Sequence, residues 1–195
     1  NATRQNWRAL DTRNNTRVIH NGISMERLSA RAGTWTRDSA RAKLGLSPGD
    51  VSVTLVGTVC DRKGQIDLVE AIRRMPQDAI DRARFQIVGD RAGPYSQALH
   101  AAVATLPADR RERLNVIGET GDPYLYFRAA DISICTSRIE SYPRVILEAM
   151  ASGLPIVTTS VFGIAEQVRE EVNALFYQPE QTDVLARQIA RLIGD

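Results

Sequence analysis

Two carboxylates flank the predicted start of a helix in the last third of the chain. Glu140 lies in the preceding loop and Glu148 lies inside the helix, with seven residues between them. Both could accept hydrogen bonds from the hydroxyls of a ligand, as an acidic residue does for ribose in dinucleotide-binding folds. A solvated side chain or an ion-pair partner is an equally good interpretation, because charged residues on helices usually face water or an opposite charge.

The start of the same helix is a candidate anion site. Ser141 or Tyr142 stands where an N-cap residue belongs, and Pro143 suits the first helical turn. The backbone amides of Arg144 and Val145 would then point outward at the positive end of the helix dipole. These features predict an anion contact at the helix N-terminus.

A candidate phosphate contact lies in the loop from Gly57 to Gly64. Gly57 lets the backbone approach a ligand closely, and Lys63 stands near a predicted helix start, where a cation could meet a phosphate. Neither G-x-x-x-x-G-K-[ST] nor G-x-G-x-x-G is present here. A solvated lysine at a helix start therefore explains these residues slightly better than a phosphate site does.

Glycines also follow two other predicted strands, in Gly89-Asp90 and in Gly118-Glu119. Chain reversal is a sufficient reason for both. A flat ring could equally slide over backbone that carries no side chain at these two neighbouring strand ends.

The elements that must position these loops are short apolar runs alternating with helical periodicity. Seven strands are predicted, at Thr16–His20, Val51–Val56, Arg84–Val88, Leu114–Ile117, Asp131–Cys135, Pro155–Thr158 and Ala174–Tyr177. Six helices are predicted, at Thr36–Leu44, Leu68–Met75, Tyr95–Leu106, Pro123–Ala130, Val145–Met150 and Leu185–Ile193. The alternation predicts an α/β domain with a doubly wound, mostly parallel sheet and helices on both faces. Ligands bind such sheets beyond the carboxyl ends of the strands, where the candidate loops lie.

Composition excludes several classes of protein. The 195 residues are 43% hydrophobic and 25% charged, as in an ordinary globular chain. A net charge of +2 is too balanced for a dedicated nucleic-acid surface. No apolar run approaches the roughly 18 residues of a membrane span. With only His20 and His100 as histidines, no paired cysteine spacing and no D-x-D, the sequence does not indicate a metal site.

The shared order of these motifs resembles the C-terminal, donor-binding half of a group 1 retaining glycosyltransferase of the GT-B architecture. The segments that carry the resemblance are Val18–Ile23, Leu55–Thr58, Arg62–Gly64, Gln86–Asp90 and Glu140–Val157. The last is the most specific, with its acidic pair followed by Ala-Met-Ala-x-Gly-x-Pro. The resemblance runs from about residue 16 to the end. Residues 1–15 are therefore expected to be a connector from an absent upstream domain, and residues 16–195 to bind a nucleotide-sugar donor.

The resemblance implies a role for each candidate residue. Lys63 and Glu140 would be catalytic, Lys63 on the donor diphosphate and Glu140 on the transferred sugar, while Glu148 would take the ribose hydroxyls. The other residues expected at the donor are Gly57, Thr58, Ser141, Tyr142, Pro143, Arg144 and Val145 around the diphosphate, and Gly89, Gly118 and Glu119 beside the base. No metal and no cofactor beyond the nucleotide-sugar substrate are expected.

Two positions depart from the family pattern. Thr58 stands where an arginine commonly follows the glycine of the first loop, so one of the two usual diphosphate cations is missing there. Arg62 is a candidate replacement. Tyr142-Pro143 stands where Phe-Gly is more usual, which should keep the helix entry but alter the wall of the donor site.

The expected function is transfer of a sugar from a nucleoside diphosphate to an acceptor, with retention of configuration. The acceptor, a sugar, lipid or small molecule, would be bound by the missing N-terminal domain, so this chain alone should bind nucleotide without transferring sugar. Two alternatives stay open: a sugar-nucleotide epimerase or hydrolase of the same architecture, and a non-catalytic nucleotide-binding partner subunit. A signalling receiver is disfavoured, because the first core strand ends in Gly57-Thr58 and lacks the aspartate that a receiver needs. A cytoplasmic location is expected, with the inner face of a membrane as the alternative for the full-length protein.

Overall fold

A six-stranded parallel sheet forms the centre of the molecule. The computed structural model describes residues 17–195, so the predicted connector at 1–15 lies outside the described residues. The strands are β1 (Val51–Val56), β2 (Ala83–Asp90), β3 (Leu114–Gly118), β4 (Ile132–Cys135), β5 (Ile156–Thr159) and β6 (Ala174–Tyr177). Every pairing is parallel, and the order is β3-β2-β1-β4-β5-β6. The predicted doubly wound α/β fold is therefore confirmed. Strand order reverses between β1 and β4, which opens a crevice at their carboxyl ends.

The helices follow the chain in the order that the periodicity predicts. They are α1 (Met25–Ala32), α2 (Arg37–Lys43), α3 (Ile66–Arg74), α4 (Gln77–Arg82), α5 (Pro94–Ala104), α6 (Ala108–Arg111), α7 (Tyr124–Ala129), α8 (Arg144–Ala151) and α9 (Thr182–Gly194). Single 3₁₀ turns cover Asp61–Lys63 and Phe162–Glu166. The short helices α1, α4 and α6 were not predicted. Within residues 17–195, no helix combines the length and apolarity that crossing a bilayer requires.

The sheet is covered on both faces, as the nearly continuous apolar strands predict. Residues alternate between faces along each strand. In β6, Leu175 and Tyr177 join a large cluster with α3, α5 and α9, whereas Ala174 joins a second cluster with α7 and α8. The polar side chains that interrupt the strands are buried as well; they are Ser52, Thr54, Gln86 and Ser133.

The predicted strand at Thr16–His20 is wrong for its described part. Residues 17–20 have no regular structure and pair with neither edge strand. Ile19 is 93% exposed, so the apolar pair that suggested a strand is not buried in the sheet. The segment instead crosses to the loop before α8, where His20 and Asn21 make contacts described below.

Candidate functional site

The loop after β1 brings Lys63 back over Gly57. Lys63 ends the 3₁₀ turn, and α3 begins at Ile66, so Lys63 lies near a helix start, as predicted, but outside the helix. The amide of Ile66 donates a hydrogen bond to the hydroxyl of Tyr95 (3.2 Å) and is therefore occupied. A Cβ placed on Gly57 would lie 3.8 Å from Cε and 4.0 Å from Nζ of Lys63. The ammonium group therefore lies beside bare backbone at the end of β1.

Glu140 in the loop after β4 pairs with two cations from the loop after β1. Its Oε1 accepts from Nη1 of Arg62 at 2.6 Å and also forms an ion pair with Nζ of Lys63. The side chains of Glu140 and Lys63 are only 11% and 15% exposed, whereas that of Arg62 is half exposed. The two residues predicted to be catalytic thus meet at the crevice between β1 and β4.

Backbone contacts hold these two loops in register. The amide of Arg138 donates to the carbonyl of Arg62 (2.9 Å), and Oγ1 of Thr136 donates to the carbonyl of Lys63 (2.7 Å). Gln65, which is fully buried, donates to the carbonyl of Thr58 (3.0 Å). These contacts fix the backbone segment from which the side chains of Arg62 and Lys63 extend.

The opening of α8 is anchored through its carbonyl groups. Pro143 is the N-cap and Arg144 the first helical residue, so Ser141 and Tyr142 lie outside the helix, contrary to the prediction that one of them caps it. Nε2 of Gln167 donates to the carbonyl of Pro143 (3.0 Å), and Nδ2 of Asn21 donates to that of Tyr142 (3.0 Å). In a trans peptide the N–H points away from the preceding C=O. The amide of Arg144 therefore points away from Gln167.

The loop after β5 contributes a residue that the sequence analysis missed. The amide of Gly163 donates to the carbonyl of Glu140 (3.2 Å), and a Cβ on Gly163 would lie 1.4 Å from the carbonyl oxygen of Ser141. Only glycine fits this close approach. A glycine four residues after a strand was a usable signal, but nothing local indicates which loop it approaches.

His20 also contacts the opening of α8. Its ring stacks on Tyr142 with centroids 4.4 Å apart and planes inclined by 7°, and its Nε2 lies 3.2 Å from Oε2 of Glu166. Together with Asn21, this contact connects the segment before α1 to the predicted diphosphate site. Neither residue has a role predicted from the sequence.

Glu148 lies on α8 in a largely buried position. Burial raises the pKa of its carboxyl group, and the nearby Arg144 only partly offsets this. Nη2 of Arg144 is 3.5 Å from Oε1 of Glu148, but the arginine side chain is 65% exposed. Glu148 is thus a desolvated acceptor without a strong cationic partner among the described residues. Such a carboxylate is suited to hydroxyl donors.

The predicted base-binding glycines line the carboxyl ends of β2 and β3. Gly89 has a φ of 114°, and a Cβ there would lie 2.5 Å from the carbonyl oxygen of Gly57, so close packing alone requires glycine. The amide of Glu119, next to Gly118, donates to the carbonyl of Asp90 (3.1 Å). Oδ2 of Asp90 in turn lies 2.7 Å from Nε2 of His100. The loop at Gly89 therefore adjoins the Lys63 loop, and the loop at Gly118 adjoins the loop at Gly89.

Known proteins share both the sequence pattern and the fold. The sequence profile for "Glycosyl transferases group 1" matches residues 50–195. The chain belongs to the group 1 glycosyltransferases. The sheet and the helices around it form the Rossmann-like fold of the C-terminal domain of the GT-B architecture. Within residues 17–195 of this glycosyltransferase domain, no three His, Cys, Asp or Glu side chains are grouped so that they could hold a metal ion.

Individual relatives cover this glycosyltransferase domain almost completely. A D-inositol 3-phosphate glycosyltransferase of Nocardia farcinica is 32% identical in an alignment of 175 residues, and the match covers 82% of this chain and 36% of the relative. Crystal structures of Anabaena HepE with UDP and with UDP-glucose superpose with TM-scores of 0.78 and 0.77 at 27% identity. The UDP complex matches 92% of this chain and 48% of HepE. The chain therefore spans less than half the length of these relatives.

The fold of this glycosyltransferase domain also matches a domain solved by itself. The C-terminal domain of LpcC, a group 1 glycosyltransferase of Francisella tularensis, has a TM-score of 0.73 at 22% identity. The match covers 89% of each chain. The likeness is one of fold, and it extends over most of both chains.

Proposed function

We propose that this chain is the donor-binding part of a retaining glycosyltransferase. It binds a nucleoside diphosphate sugar at the carboxyl ends of β1 and β4, and the rest of the enzyme binds the acceptor, a sugar, lipid or small molecule. The observation that carries the proposal is the convergence of Lys63 and Glu140 at the strand-order reversal, next to the opening of α8. Family membership and the UDP complexes of HepE support the same conclusion.

Each group at the crevice has a part of the donor that suits its chemistry. Lys63, beside Gly57 and Thr58, contacts the diphosphate together with the opening of α8. Glu148 accepts hydrogen bonds from the ribose hydroxyls, and Glu140 contacts the transferred sugar. The flat base lies against the loops at Gly89, Gly118 and Glu119.

The chemical step in this proposal is departure of the diphosphate. Negative charge grows on the leaving oxygen as the glycosidic bond breaks, and Lys63 with the α8 amides stabilises that charge. This part of the proposal assigns no role to a metal ion. Because the acceptor is bound elsewhere in the enzyme, the 195-residue chain binds the donor but does not transfer its sugar.

Calorimetric titration with UDP, GDP and ADP tests the proposal. We expect one of them to bind saturably, with UDP the first candidate because HepE binds it. Lys63→Ala removes a charge-assisted contact worth about 1.5–3 kcal/mol, so Kd should rise roughly 10- to 150-fold. Glu148→Ala should also weaken binding of the nucleoside diphosphate, by removing the ribose acceptor. Lys43→Ala is the matched control, since Lys43 is the other lysine of the chain and lies exposed on α2.

The outcomes separate the proposal from its alternatives. Equal affinities for wild type and Lys63→Ala would remove Lys63 from the site, and binding of none of the three nucleotides would contradict the donor site in this chain. Sugar transfer by the isolated chain would contradict the division between donor and acceptor parts. Product analysis of the full-length enzyme distinguishes a transferase from an epimerase, which needs no acceptor.

A further inference from the structure

The cluster of Arg62, Lys63 and Glu140 is unbalanced in charge. Two cations, an exposed guanidinium and a nearly buried ammonium, converge on one oxygen of one carboxylate. The net charge of the three groups is therefore +1, at the crevice that the sheet order creates. Glu140 holds the position between the two cations that an external anion would need to occupy.

Contacts that do not involve the Glu140 side chain fix the backbone segment that carries these two cations. The carbonyls of Arg62 and Lys63 each accept a hydrogen bond from the loop after β4, and the Lys63 side chain lies over Gly57. Removing the carboxylate would thus leave both cations on the same anchored segment, next to the position that the carboxylate occupied. Their spacing suits a ligand with several anionic oxygens, because each oxygen can take one donor.

We propose that Glu140 is the resident counter-ion of a two-cation site, Arg62 and Lys63, and that a diphosphate group displaces its carboxylate from both cations. In this arrangement Arg62 supplies the second cation that Thr58 does not. The displaced carboxylate becomes free beside the bound diphosphate, where it can accept hydroxyl hydrogen bonds from the attached sugar. Diphosphate binding and sugar recognition are thereby coupled through one side chain. The coupling to sugar rests on the proposed function, whereas the counter-ion exchange does not.

The exchange predicts that Glu140 weakens anion binding. While the Glu140 carboxylate occupies the two cations, an external anion cannot bind them. If the ion pair is formed about 90% of the time, the apparent affinity for the anion falls about tenfold. Glu140→Gln keeps the shape of the side chain and removes its charge. We expect this variant to bind inorganic pyrophosphate and UDP about tenfold more tightly than the wild type does.

Calorimetry with both probes, on the same 195-residue chain, tests the exchange. Glu140→Ser is a second variant in case the glutamine retains a hydrogen bond to Arg62. Arg62→Ala in the Glu140→Gln background should lose most of the gain, because Arg62 then no longer contacts the anion. The matched control is Glu171→Gln, which removes one charge from the exposed pair between Glu171 and Arg191 (2.8 Å). Glu171 precedes the edge strand β6, whereas the two-cation site lies at the carboxyl ends of the central strands β1 and β4. This control variant should bind both probes as the wild type does.

Each result has a distinct meaning. Unchanged or weaker pyrophosphate binding in both Glu140 variants would overturn the counter-ion role, even if UDP binds the wild type and the donor proposal holds. Tighter pyrophosphate binding in both Glu140 variants, with no UDP binding by any variant, would support the exchange and contradict the donor proposal. If neither probe binds to the wild type or to any variant, both the counter-ion role and the donor proposal would be overturned. An equal gain in pyrophosphate affinity in Glu171→Gln would also overturn the counter-ion role, because the gain would then be an effect of net charge alone.

Discussion

Glu140 and Glu148 look alike in the sequence, yet they have opposite electrostatic surroundings. Glu140 is paired with two cations, whereas Arg144, the cation beside Glu148, is largely exposed and water screens its charge. Burial therefore dominates at Glu148 and raises its pKa. The difference arises because Glu140 lies in a loop that faces the β1 loop, while Glu148 lies on the inner side of α8.

The raised pKa of Glu148 predicts how its replacement changes stability with pH. The folded state holds the Glu148 proton more tightly than the unfolded state does, so wild-type stability falls as pH rises from the ordinary value of 4.5 through the raised pKa. Glu148→Gln stays neutral and avoids this loss. We expect it to have a larger free energy of unfolding than the wild type at pH 7, with the difference vanishing below pH 4.5. Urea denaturation across this range measures it.

The control for this prediction is Glu171, whose pKa is shifted in the opposite direction. Hydrogen bonding to Arg191 lowers the pKa of the exposed Glu171, so its contribution to stability is present above the ordinary pKa and is lost as pH falls. Glu171→Gln should therefore be no more stable than the wild type at pH 7. A Glu148→Gln variant that is less stable than the wild type at pH 7, or equally changed at every pH, would contradict the burial argument.

At the scale of elements, three loops from different strands interlock to form the site. The loop after β4 is held on one side by the loop after β1 and on the other by the loop after β5. On the second side, Gly163 approaches Ser141 so closely that no other side chain fits. The opening of α8 thus depends on a backbone contact between two loops.

Gly163→Ala tests this dependence. The added methyl group must push the two loops apart, at a cost of about 1–3 kcal/mol, as for other overpacked sites. The same displacement moves Ser141 and the start of α8, so affinity for the bound nucleotide should fall as well. Gly49→Ala is the control, because its Cβ would meet no atom within 4 Å. Thermal denaturation and calorimetry check both effects, and a Gly163→Ala protein that melts like the wild type would argue against a tight contact.

Whether a strand or helix could be predicted from the sequence depends on how its residues are buried. Strands β1 to β6 were predicted because apolar runs covered on both faces are a local signal. Helices α1, α4 and α6 were missed, since they are short, mostly polar segments that packing against neighbours stabilises. The predicted strand at Thr16–His20 failed for the complementary reason, because its apolar residues have no neighbouring strand.

At the scale of the whole molecule, a buried aspartate connects distant parts of the chain. The Asp67 side chain on α3 is only 4% exposed. It accepts hydrogen bonds from Arg138 (3.1 Å), the hydroxyl of Tyr177 (3.4 Å) and the amide of Glu180 (3.1 Å). One carboxylate therefore ties α3 to the loop after β4, to β6 and to the segment before α9.

Removing the cation of this network should be costly. Arg138→Met leaves Asp67 buried and without its charged partner, which we expect to lower the free energy of unfolding by about 3 kcal/mol. That is the lower end for a broken buried pair, because the Tyr177 and Glu180 donors remain. Urea denaturation measures the loss. Arg187→Met breaks an exposed pair with Asp183 on α9 and should cost less than about 0.5 kcal/mol. Similar losses in the two variants would contradict a specific role for Asp67.

The sequence by itself determined the fold class and indicated the loops of the candidate site. Both follow from local patterns, since apolar runs, helical periodicity and glycines at strand ends are visible within a few residues of one another. The tertiary structure alone decided that Arg62 and Lys63 meet Glu140, that Gly163 lies against Ser141 and that Glu148 is desolvated. Ion pairs and close approaches depend on distances between parts of the chain far apart in sequence. Those distances exist only once the order β3-β2-β1-β4-β5-β6 has placed β1 beside β4 and β4 beside β5.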